Sequence, residues 1–192
     1  MYTRLLKVLN TIVSVEPSEE ELIISCFKPF NLSKGDFFLQ SDKVNHIIGF
    51  INKGLVRYFV YKNDEEATFE FTSEGEFIAD YQSFTKKVPS VQNIQAIEDC
   101  ELLVVNYNDL QRIFNTAKHG NLLGRIIIEH RFDVMVTQLL SIYMHSHEER
   151  YKKFIDSYSE LSQRIPQYLI ASYVGVQPQS LSRMRRRFSK ND

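Results

Sequence analysis

A chain of 192 residues, 43% hydrophobic and 12% aromatic, can bury one substantial core plus a small second domain, which excludes disorder along its whole length. Its formal net charge of -1 conceals an acidic body with a basic end: 14 Lys/Arg against 19 Asp/Glu from Met1 to His147, then 9 against 5 from Glu148 onward. Cys26 and Cys100 stand alone without CxxC spacing, which argues against a metal knuckle or disulfide framework and for free buried thiols.

In chain order, "TRLLKVLNTIV" repeats apolar residues at helical spacing, and "VEPSEEELIISCF" predicts a second helix with Ser18 as N-cap and Glu21 completing a capping box. From Phe37 the pattern becomes short runs of Ile, Val, Phe and Tyr bounded by Gly, Asn, Asp and Lys. "FINKGLVRYFV" reads as a hairpin turning at Asn52-Lys53-Gly54, with Gly54 supplying a positive φ. Several such runs with no helix between them predict an antiparallel β barrel or sandwich. From Asn121 to Met144 the period returns to 3.6, giving an amphipathic helix of about six turns. That helix either covers the barrel or pairs two copies of the chain. Its most apolar tract, Val134 to Met144, is too short and too interrupted by Thr137, Gln138 and Ser141 to span a bilayer. With no N-terminal signal pattern, the expectation is a cytoplasmic protein that does not enter a membrane. A further helix follows around "EERYKKFIDSYSEL".

The end of the chain carries the most specific pattern. In "QYLIASYVGVQPQSLSRMRRRF", Ile170 and Val174 form the buried stripe of a short helix, and Ala171 is small where a second helix crosses. Gly175 can take the left-handed conformation that ends that helix, and Pro178 suits the first turn of the next. Leu181, Met184 and Phe188 make the second helix's buried face. This is the two-helix unit that docks its second helix in the DNA major groove. Between Gln163 and Lys190 there is no acidic residue, while six cations are present, a footprint for a polyanion. Gln179, Ser182, Arg183 and Arg186 lie opposite the buried stripe. Arg183 suits a guanine and Gln179 an adenine. Arg185, Arg186, Arg187 and Lys190 are assigned to phosphates.

With a β domain, a long helix and then "RIPQYLIASYVGVQPQSLSRMRRRF", the chain resembles the Crp/Fnr family of bacterial transcription regulators over nearly its full length. The resemblance implies an α+β fold: an N-terminal antiparallel β-roll of the cyclic-nucleotide-binding type, a long dimerisation helix and a small all-α helix-turn-helix domain. The boundaries expected are 1–117, 118–147 and 148–192. It further implies a homodimer on a palindromic site in double-stranded DNA, with RNA polymerase and a small-molecule effector as further partners. Gln177, Gln179, Ser180 and Arg183 then occupy base-facing positions, Gln179 standing where well-known members carry a glutamate.

The effector pocket implied by the resemblance is degenerate. The family's cassette runs Gly-Glu-Leu, a short helix, then an Arg followed by a small residue. Gly75, Glu76 and Phe77 are matched to its start, but the arginine position is Ser90, followed by Val91. A buried phosphate without a cationic partner is costly, so cyclic AMP is not expected to bind. Lys86 and Lys87 are weaker substitutes. Two isolated cysteines cannot hold a four-cysteine iron–sulfur cluster. His46, His119, His130, His145 and His147 form no metal or catalytic spacing, so neither cofactor nor enzymatic activity is expected. The alternative function is a ligand-sensing or protein-interaction module without specific DNA binding.

Overall fold

The computed structural model describes residues 1–188. Two short helices, α1 (Thr3–Ile12) and α2 (Pro17–Cys26), precede β1 (Lys28–Leu32), β2 (Phe37–Leu39), β3 (Ile47–Lys53), β4 (Val56–Lys62), β5 (Glu65–Thr72) and β6 (Phe77–Ile78). A one-and-a-half-turn helix, α3 (Tyr81–Lys86), leads to β7 (Asn93–Ala96) and β8 (Cys100–Asn106). Five helices complete the described chain: α4 (Tyr107–Thr116), α5 (Gly120–Met144), α6 (His147–Ser157), α7 (Gln167–Val174) and α8 (Pro178–Phe188). The strands form two four-stranded sheets, ordered β1-β8-β3-β6 and β2-β7-β4-β5. This is an antiparallel jelly-roll-like domain followed by a long helix and further helices, as the alternation of patterns predicts.

Contacts divide the chain into two compact units. One comprises Met1–Tyr58 and Phe71–Phe132; the other comprises Phe59–Glu70 and the chain from Asp133 onward. In the first, Leu5, Leu9, Ile23, Phe27, Phe50, Leu103 and Val105 form a continuous apolar cluster that fastens α1 and α2 to β3 and β8. Ile113 and Leu123 extend this cluster to α4 and the start of α5. Cys26 and Cys100 are both free and buried, and burial pushes the Cys100 thiol up to about 11.

Two local expectations require correction. The N-cap of α2 is Glu16, not Ser18: Pro17 occupies the first helical position, and Glu19 accepts from the Glu16 amide at 3.1 Å. Proline's preset φ moves the start one residue upstream of the serine. The turn at Gly54 exists, with φ +111°, but β3 and β4 do not pair. They enter opposite sheets. A Cβ on Gly54 would lie 2.5 Å from Cys100 Sγ, so this glycine serves a tight crossing between sheets. The true two-residue hairpin joins β4 to β5 at Asn63 and Asp64, both left-handed at φ 53° and 62°.

Candidate nucleic-acid interface and effector pocket

The residues of α7 and α8 set their own geometry. Gly175, at φ +84°, ends α7: its N–H reaches the carbonyls of Ala171 and Ser172, and the Val176 N–H reaches Ala171 at 3.0 Å. This is a Schellman arrangement, and it reverses the chain within three residues. Helix α8 starts at Pro178, with the Gln177 carbonyl accepting from Ser180 at 2.9 Å. Ile170, Ala171, Val174, Leu181 and Met184 are buried as their spacing predicts, and Phe188 packs on the Tyr151 ring at 5.8 Å between centroids.

Helix α6 grips the turn. His147 Nδ1 lies 3.0 Å from the Val174 carbonyl, and Arg150 donates to the Tyr173 carbonyl with its guanidinium over the Tyr173 ring. Burial holds the Arg150 guanidinium below its ordinary range and pushes the Tyr173 phenol up. Ser146 caps α6, and Glu149 returns a bond to the Ser146 amide at 2.8 Å. None of the residues on α6 was singled out as holding the turn in the sequence, because they sit more than twenty residues from their partners.

The opposite face of α8 is exposed. At 100° per residue, Gln179, Arg183 and Arg186 fall on one stripe, flanked on one side by Arg185 and on the other by Arg187. Gln177 and Gln179 are exposed and Ser180 is half-buried, its hydroxyl accepting from Arg183 at 3.2 Å. Arg187, assigned to phosphate from its position, is paired with Glu148 of α6 in this structure. Lys190 lies outside the described residues.

The residues matched to the effector cassette are engaged in local hydrogen bonds. Gly75 (φ +92°) and Glu76 form a turn bonded to both backbone groups of Ile51, and the Phe77 ring in β6 packs at a tilt on Phe50, 5.0 Å between centroids. The Glu76 carboxylate lies 3.4 Å from His130 Nε2 on α5. Ser90 is buried, with its hydroxyl donating to the Gln92 carbonyl at 2.9 Å and accepting from the Gln92 amide at 3.0 Å. Val91 points outward, 81% exposed. Lys87 is held over the Phe84 and Tyr107 rings at 4.9 and 4.4 Å, and Lys86 is exposed.

The acidic residue that directly precedes the short helix α3 is Asp80. Asp80 is buried and accepts from the Ser83 amide at 3.0 Å, while Asn45 bonds Ser83 Oγ and the Asp80 carbonyl. The signal available was the Asx cap itself, an aspartate before "YQSFTK". Among the described residues of the first unit, the buried cation is Arg57 on β4, bonded to Gln95 Oε1 at 2.6 and 3.0 Å.

Along α5, Ile128, Phe132, Met135, Leu139 and Ile142 are 39 to 58% exposed. Their spacing of 4, 3, 4 and 3 is the repeat that apolar residues show along a coiled-coil seam. Among the described residues, no helix is long and apolar enough to cross a membrane.

Comparison with known proteins agrees with this architecture. Residues 29–117 match the family model of the cyclic nucleotide-binding domain. The c-di-GMP-responsive global regulator CLP of Xanthomonas campestris superposes with a TM-score of 0.71 at 14% identity, covering 92% of this chain and 93% of that one. The catabolite activator protein of Thermus thermophilus gives 0.58 at 18%, covering 96% and 87%. A protein of Eubacterium rectale assigned to the crp/fnr family of transcriptional regulators gives 0.67 at 16%, covering 92% and 85%. No protein of curated function matches the sequence. The chain therefore has a cyclic nucleotide-binding-type domain and the fold of the Crp/Fnr regulators.

Proposed function

We propose that this protein is a homodimeric, sequence-specific DNA-binding regulator of Crp/Fnr type, acting in the cytoplasm, with an effector pocket that does not take cyclic AMP. The observation that carries this reading is the exposed stripe Gln179, Arg183 and Arg186 on a helix whose other face is locked by Leu181 and Met184. Arg183 and Gln179 read bases, with Gln177 and Ser180 beside them at the helix start, and Arg185, Arg186 and Arg187 engage phosphates. The apolar seam of α5 pairs two copies, so that two α8 helices address a palindrome, and RNA polymerase is a further partner.

The domains follow as 1–117 for sensing, 118–147 for pairing and 148–192 for DNA. In the pocket, Ser90 brings no charge to the position of the family's arginine and spends both its bonds on Gln92. Selection of bound duplexes from a random pool tests the reading. The expected product is a palindrome with half-sites about 34 Å apart. Absence of any enriched duplex removes the DNA reading and leaves a protein-interaction module.

A further inference from the structure

Strand β5 is the outer strand of its sheet, so one row of its backbone groups faces away from β4. The Glu66 carbonyl and the Thr68 amide, which flank Ala67, are met by a single side chain of α7. Ser172 Oγ donates to the Glu66 carbonyl at 2.7 Å and accepts from the Thr68 amide at 2.9 Å, with Thr68 Oγ1 3.2 Å away. A hydroxyl can donate and accept at once. It takes the place of a neighbouring strand at this edge.

Two further facts give the contact a role. The hairpin segment Phe59–Glu70 belongs to the same compact unit as the C-terminal helices. Ser172 also sits directly before Tyr173 and Val174, whose carbonyls Arg150 and His147 hold at the turn into α8. The last turn of α7 is thus gripped by α6 at its end and by β5 on its flank.

We infer that Ser172 is a positioning residue that stitches the DNA-reading helices to the edge of β5, making the β4–β5 hairpin a working part of the DNA-binding unit. β4 and β5 each begin or end in the first unit, at Tyr58 and Phe71, while the hairpin between them lies with the C-terminal helices. This inference deepens the proposed function and rests on it.

The test combines amide hydrogen exchange with duplex binding on the full chain carrying Ser172→Ala. Exchange at Thr68 is expected to rise at least about tenfold, since its buried amide loses the acceptor. Affinity for the selected duplex is expected to fall about tenfold, because ordering of the reading helices is then lost on binding rather than built in. The salt slope stays at the wild-type value, because the phosphate contacts are the same. Ser172→Thr, which keeps the hydroxyl, restores both. If Ser172→Ala does not fold, Thr68→Pro removes the same bond from the strand side, where an edge position tolerates proline, and duplex affinity alone is then read, an unchanged affinity overturning the inference. Wild-type exchange at Thr68 overturns the inference, as does faster exchange with unchanged affinity. If the wild-type chain binds no duplex, the DNA reading fails, and Thr68 exchange still tests the stitch on its own.

Discussion

The pair between Glu148 and Arg187 links two helices 39 residues apart in sequence and sits at the flank of the proposed DNA-binding face. Its side chains are 51 and 63% exposed, so solvent screens the attraction, and the pair contributes at most about 1 kcal/mol. That is still a factor of about five in any equilibrium that must break it. When Arg187 turns to a phosphate, Glu148 is left as a lone carboxylate and takes up a cation from solution. This uptake cancels part of the counterion release that drives binding.

Glu148→Gln removes the competitor and leaves the arginine. Duplex binding should tighten up to about fivefold at low salt, and the slope of log K against log salt should steepen by up to about 0.9. Fluorescence anisotropy over a salt series reads both quantities. The stronger check is a double-mutant cycle: Arg187→Ala should cost more affinity in the Glu148→Gln background than in the wild type. A cycle that closes at zero, with an unchanged slope, refutes the competition between carboxylate and phosphate.

Other outcomes follow from separate parts of the structure. Arg183→Ala should relax discrimination at one base pair per half-site by about 1–3 kcal/mol, measured against a panel of single-site duplex variants, while Arg185→Ala weakens all sequences alike. Equal losses from both variants on every duplex would place Arg183 on the phosphates. Met135→Asp and Leu139→Asp should convert a dimer to a monomer in sedimentation, each charge being set into the apolar seam of α5. A wild-type chain that sediments as a monomer refutes the pairing. Cyclic AMP at 100 times a true Kd would stabilise the fold by about 2.7 kcal/mol, or roughly 5–10 °C in a chain of this size, whereas no shift is expected at about millimolar nucleotide. Burial raises the Glu19 carboxyl, but bonds from the His119 and Glu16 amides and the His119 ring outweigh it and leave the pKa below the ordinary value. Its contribution is therefore present above the usual carboxylate range and lost as pH falls through the lowered value. Glu19→Gln should cost about 1–2 kcal/mol in denaturant melts at neutral pH, with the deficit shrinking in acid. A deficit that does not change with pH refutes the role of the charge.

What could be read from the sequence divides by the range of the interactions that decide it. The α7–α8 unit is coded locally: Ile170 and Val174 are four apart, Gly175 is where only a left-handed residue closes the helix, and Leu181 and Met184 repeat at three. Each inference there needs no residue more than a turn or two away. The barrel is coded otherwise. Ile48 pairs with Val105 and Phe50 with Leu103 across more than fifty residues, and both sheets offer similar Ile, Val and Phe partners. Local pattern therefore gives the strands but not their neighbours, which is why the turn at Gly54 looks like a hairpin and is a crossing.

The surroundings of the candidate pocket are hidden from the sequence for the same reason: the burial of Asp80 beside Ser83 and Asn45 joins residues 35 apart, which no local motif shows. Ser172 shows the limit most clearly. In sequence it is one serine in a short helix, yet in the structure its hydroxyl meets two backbone groups more than a hundred residues earlier. Backbone partners carry no side-chain signature, so residue types at either end do not join them.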